Sequence, residues 1–245
     1  MTLSKEELDE MVKAGAVTDI FKAERAYAVL KTIGENAEAI NASERNVGEV
    51  FGVLQGHAQT EALIAVARLY DRPSKRYPTR CLQALLGELE AKAADLPPIT
   101  QKYNLAQELT RQGMSADEVA LVNSAPDVDV TRAMMAFLRG RLDAPDAMEA
   151  VERVKNVRDK RIAHNEAAHA VEGPTWKAVL RLLTLAKEIV GLVGWAYLST
   201  VYLHEGRYFL SDNAERPGLA MRRVLEGLGI IEPRFPRRAR QPIVE

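Results

Sequence analysis

Apolar side chains recur every three to four residues along most of the chain, the period of a helix with one buried stripe. Ser4 and Glu7 form a capping box, and Leu8, Met11, Val12, Ile20 and Phe21 follow at helical intervals, predicting a helix over about 4–33 with a break near Gly15. After a turn around Gly34, Asn36 and Asn41, the residues Val47, Val50, Phe51, Leu54, Ala58, Leu63, Val66 and Leu69 predict a second helix, which stops at Asp71, Arg72 and Pro73. A third covers about 79–94, before Pro97 and Pro98. The pattern is less regular over 100–142, with short helical stretches at about 101–112, 115–122 and 130–142.

Further on, Asp143 as N-cap and Pro145 open a helix over about 144–169, which Gly173 and Pro174 follow. The next, over about 175–203, is apolar nearly all round from Ile189 onward and belongs at the centre of a bundle. A last helix, about 213–228, precedes an extended basic tail, so residues 1–228 read as one all-α domain and 229–245 as its tail. Strand alternation, internal repeats and low-complexity tracts are absent from the sequence. The stretch Ile189–Leu203 is fifteen residues long and contains Ser199 and Thr200, short of the roughly 20 that span a bilayer, so no membrane segment is expected.

Composition narrows the function classes. A chain of 245 residues, 47% hydrophobic and 27% charged, is neither disordered nor a disulfide scaffold. Its 33 basic and 34 acidic residues give a net charge of −1, so any nucleic-acid contact has to be local. One such place is the segment 213–245, where seven arginines face four glutamates; a solvated or subunit-wrapping tail accounts for it equally well. Cys81 is the single cysteine and fits a reducing compartment. The first ten residues, with Lys5, Glu6, Glu7, Asp9 and Glu10, have no apolar signal-peptide core, and the expected location is the cytoplasm. His57 reads as a solvated polar residue, His204 as the end of its helix, Cys81 as core, and Trp176 and Trp195 as packing anchors.

The sequence has no glycine-rich phosphate loop, no Cys/His cluster at metal spacing and no Gly-x-Ser-x-Gly elbow, so neither cofactor nor metal is expected. One segment carries chemistry, Val157 to Asn165. On a helical wheel of about 100° per residue, Ala147, Ala150, Val151, Val154, Val157 and Ile162 form an apolar arc. Glu149, Glu152, Arg153, Asn156, Asp159 and Lys160 fill the other side. Arg158 falls in the middle of the arc, where a guanidinium is costly unless paired or opened onto a site. Arg161 lies in the same arc and His164 at its edge. Arg158 and His164 diverge by about 120° on an ideal helix, so one site needs side-chain reach, a helix irregularity or two subunits meeting. The spacing alone occurs roughly once by chance in a chain with 22 arginines and four histidines; the weight rests on the misplaced arginine and on Asp159 beside it.

Arginine, a polar residue directly after it and a histidine four to six residues beyond, near a helix end in an all-α chain, resemble the signature of HEPN-domain ribonucleases. Here these are Arg158, Asp159 and His164. The segment Val66 to Leu86, with Ala67, Arg68, Leu69, Tyr70, Asp71 and Leu82 to Leu86, is similar to the early helices of the abortive-infection AbiU-type branch. The resemblance implies an all-α, HEPN-like helical bundle with extra helices and a basic C-terminal tail. It also implies a homodimeric, metal-independent endoribonuclease of a toxin or phage-defence system, with its site where two subunits face each other. Arg158 would stabilise the phosphorane, His164 would act as acid or base, and Asp159 would orient one of them. Arg161, Asn165, Lys160 and His169 would contact RNA, and an antitoxin protein is the partner such a system implies. Glu166 stands where nucleotide-regulated HEPN toxins have tyrosine, which places control by nucleotide transfer in doubt. The competing readings are a noncatalytic RNA- or protein-binding dimer and a scaffold whose Arg158 pairs with Glu152 or Asp159.

Overall fold

The computed structural model describes residues 4–74, 76, 79–163 and 172–234. Its N-terminal helix begins at the expected capping box, with the Glu7 N–H donating to Ser4 Oγ at 3.1 Å and the Ser4 N–H to the Glu7 carboxylate at 2.9 Å. α1 (Lys5–Met11) does not break at Gly15; it widens into a π-helical segment, Val12–Val17, and continues as α2 (Thr18–Glu35). Gly15 lies there because the chain passes so closely that an added Cβ would sit 2.5 Å from the Arg80 carbonyl oxygen. α3 (Ala37–Ala42) leads to α4 (Gly48–Leu69), which packs along α2. α5 (Leu82–Ala91) follows the proline-bounded connection, with Cys81 in the core at 1% exposure.

The irregular stretch resolves into α6 (Lys102–Arg111), α7 (Ala116–Ser124) and α8 (Asp127–Leu142), and α7 starts at a second capping box, Ser115 with Glu118. Asp143 closes α8, its N–H on the Arg139 carbonyl at 2.9 Å, while Ala144 is the N-cap of α9 (Pro145–Val157) and Pro145 its first residue. The expected Asp143 cap is displaced by one residue because proline at the first helical position needs no N–H partner.

α10 (Trp176–Val193) is the central helix: Leu182, Ala186, Ile189, Val190, Leu192 and Val193 are fully enclosed. It ends as a π segment, Gly194–Leu198, and Ser199 with φ +53° turns the chain out of the helix. The expected helix ran on to about 203, but Leu203 instead opens a hairpin, β1 (Leu203–His204) against β2 (Arg207–Tyr208), turned through Glu205 (φ +52°) and Gly206 (φ +75°). Two-residue strands are too short to show alternation. His204 therefore does not end a helix; its ring meets the edge of Trp195 at 5.9 Å, and the Trp195 indole donates to the Leu203 carbonyl at 2.9 Å. Trp176 stacks at a tilt on Tyr27, so both tryptophans are packing anchors.

α11 (Ser211–Ala214) and α12 (Arg216–Gly227) return the chain onto α2. One continuous core joins most elements, and a small second cluster of Ile33, Ile40, Phe51 and Leu225 holds α12, with Leu228, Ile230 and Ile231 packed on it. The architecture is an all-α bundle, as expected, with a short hairpin added. Among the described residues no helix is long and apolar enough to cross a membrane.

Candidate functional site

α9 buries Ala147, Ala150, Val154 and Val157 against α10 and α4, the apolar arc expected of it. At Arg158 the winding changes, and Arg158–Ala163 forms a π-helical segment. Such widened turns are rare and concentrate at functional sites. A helix irregularity of the kind the wheel calls for thus begins at the arginine.

The Arg158 side chain, 25% exposed, is held from two directions: Nη1 donates to Asp71 Oδ1 and Nε to Asp159 Oδ1, each at 2.7 Å. Glu152, one of the partners considered from sequence, is not the one used. Asp159 was expected to point away, yet the flexible arginine stem lets Nε reach the neighbouring carboxylate. Two of the five N–H donors of the guanidinium are engaged by these bonds.

Asp71 comes from the far end of α4, two residues after its last turn. Its placement is firm because the buried Tyr70 beside it donates its hydroxyl to the Leu182 carbonyl at 2.6 Å, pinning the end of α4 to α10. Burial pushes the Tyr70 phenol far above its ordinary range, so it stays a donor. The pair Arg158–Asp71 then ties α4 to the start of the widened turn. Asp159, and with it Asp71, holds the Arg158 guanidinium above its ordinary pKa against partial desolvation, so its charge is permanent.

Lys155, one turn earlier, is pushed down by burial; Asp71 opposes this, and the charges of Arg158 and Arg72 add to it. Asp19, from α2, is pushed up by burial and also feels Arg68, Lys22 and Asp71. Together these side chains bring charges of both signs to the end of α4, where Arg158 is held by two carboxylates.

Of the residues singled out from sequence, Arg158 and Asp159 are brought into direct contact. Lys160 is half-buried on the widened turn, which Arg161 shares by its backbone. His164, Asn165 and His169 lie outside the described residues. Asp71 and Lys155 were given no role by the pattern. The signal for Asp71 was a carboxylate at a helix end forced by Pro73, inside the stretch Ala67–Asp71 already noted, together with the need of Arg158 for a partner.

The family model HEPN_AbiU2, described as AbiU2, matches residues 5–216. No curated protein and no solved structure matches the chain.

Proposed function

This chain belongs to the AbiU2 family of HEPN-type abortive-infection proteins, and from that premise we propose that it is a metal-independent endoribonuclease acting in the cytoplasm as a toxin. The reading is carried by one observation: Arg158 is the first residue of a widened helical turn, kept charged by Asp71 and Asp159 with donors to spare. Arginine presents a planar fork of donors matched to phosphate oxygens. Histidine, with an ordinary pKa near 6.5, serves as base or acid near neutrality.

In the cleavage step the His164 imidazole removes the proton of a ribose 2′-OH. The freed oxygen attacks the adjacent phosphorus, and Arg158 balances the charge gathering on the phosphorane. The bond to the 5′-oxygen breaks, and a second imidazole, His164 of another copy, gives that oxygen a proton. The products are a 2′,3′-cyclic phosphate and a 5′-hydroxyl. Asp159 and Asp71 aim the guanidinium, while Lys160, Arg161, Asn165 and His169 contact the RNA on either side. The site is completed by homodimerisation, and an antitoxin protein keeps the chain inactive until needed.

The test is cleavage of single-stranded RNA by the purified protein in EDTA, with the product ends identified. His164→Ala and Arg158→Ala should each lower the rate at least a hundredfold, the scale of lost acid–base catalysis, with the melting temperature retained. Cleavage surviving both substitutions overturns the assignment, as does failure of the unaltered protein to cut any RNA tried.

A second reading has its own support. The two-sided pairing of Arg158 is also what a purely structural tie requires, in a noncatalytic HEPN-like module that binds RNA or protein. Arg158→Met decides for it if melting is unchanged or raised, since buried pairs are often replaceable by apolar groups, and if no activity is lost.

A further inference from the structure

Two open grooves adjoin at Lys22, Arg25 and Pro217, which line both: one lies between α2 and α4, the other between α2 and the residues leading into α12. The first, about 600 Å³, reaches Arg68 and Glu61 on α4; the second, about 660 Å³, reaches Phe21 and Arg216. Their walls carry four permanent cations, Lys22, Arg25, Arg68 and Arg216, against one carboxylate, Glu61, in a chain whose net charge is −1. Most other arginines in the fold are matched to a carboxylate, but among the described residues Lys22, Arg25 and Arg216 make no ion pair, and Arg68 only a long one of 3.9 Å to Asp19.

An aromatic ring lies within this basic wall. The Arg25 guanidinium carbon stands 5.5 Å from the centre of the half-buried Phe21 ring. The apolar floor comes from residues such as Ala26, Val29 and Ile64. The groove also has a direction. At one end Arg68 sits in the last turn of α4, its carbonyl accepting the Asp71 N–H at 3.3 Å, and Asp71 holds Arg158. A polyanion lying along Arg216, Arg25, Lys22 and Arg68 would arrive at the candidate site.

A groove of cations, most of them unpaired, with an aromatic ring among them is the pattern that tracks a single-stranded nucleic-acid backbone while a base stacks. We propose that this groove binds single-stranded RNA and feeds it to Arg158. The proposal rests on the ribonuclease reading for its ligand, but its location is independent of the cutting residues.

The probe is a 5′-fluorescein-labelled, unstructured 20-nucleotide RNA bearing 2′-O-methyl groups, which has no attacking hydroxyl, read by anisotropy over a salt series. The full-length variant Lys22→Gln/Arg25→Gln/Arg216→Gln should bind at least tenfold more weakly at about 0.1 M salt. Its slope of log affinity against log salt should shrink by about 2, since each lost phosphate contact removes roughly 0.7 on a single strand. Phe21→Ala should weaken binding with the slope retained. Arg132→Gln, an exposed change on α8, should bind as the parent does.

Unchanged affinity and slope in the triple variant overturn the groove, and so does an equal loss in Arg132→Gln, which would mean a bulk-charge effect. Cleavage of unmodified RNA separates the two ideas. If the parent never cuts yet the triple variant loses binding, the ribonuclease reading falls and the groove stands. If the parent cuts and the triple variant binds and cuts equally well, the groove alone falls.

Discussion

Arg158 takes its meaning from Asp71, which approaches it across 87 residues of sequence. The contact is a charge-assisted bond between side chains about three-quarters enclosed, and its removal leaves a guanidinium with one carboxylate instead of two. Asp71→Asn should therefore lower stability by about 1–2 kcal/mol, the scale for a partly exposed charged hydrogen bond, seen as a lower midpoint in urea. If Asp71 aims Arg158 at phosphate, the same variant should lose kcat about tenfold with KM little changed, whereas a plain tie would leave kcat alone. The misfit of Arg158 on the apolar arc was legible because a wheel tests each residue against its own helix. Its partner was not, since a wheel says nothing of which other element arrives at that face. Asp71 was visible only as part of the stretch resembling AbiU-type chains, without a role.

Among the elements, helical spans followed from the apolar period because burial of one stripe is what stabilises them. The π segments did not. One extra residue in one turn shifts the phase too little, over too short a stretch, to register in a pattern read at about 100° per residue. The hairpin at 203–208 escaped for the related reason that each strand has two residues. Glycines within these helices separate two physical roles. At Gly15 a methyl group would strike the Arg80 carbonyl at 2.5 Å, while at Gly52 on α4 an added Cβ meets nothing within 4 Å. Gly15→Ala should destabilise by about 1–3 kcal/mol through overpacking. Gly52→Ala should stabilise by up to about 1 kcal/mol through helix propensity alone. Paired thermal melts check the opposite signs.

For the molecule as a whole, the sequence placed the apolar Ile189 region at the centre, and the structure has α10 there. Which helices would wall the basic groove was not readable, because Lys22, Arg68 and Arg216 converge only through tertiary packing. The small cluster that seats α12 includes Ile230 and Ile231, so a chain ending at Gly229 should melt below one ending at Arg234. Two partly buried isoleucines contribute about 2 kcal/mol, or roughly 4–8 °C in a protein of this size; equal midpoints would show that they carry no weight. The widened turn at Arg158–Ala163 reaches further, into how relatives are aligned. A turn closed over five residues instead of four separates how many positions lie between two side chains from the bearing at which they emerge. A relative with one residue fewer after its arginine can keep the same bearing by reverting to ordinary winding. What a gap in an alignment scores as a loss would then be, in space, a rewinding that preserves the geometry.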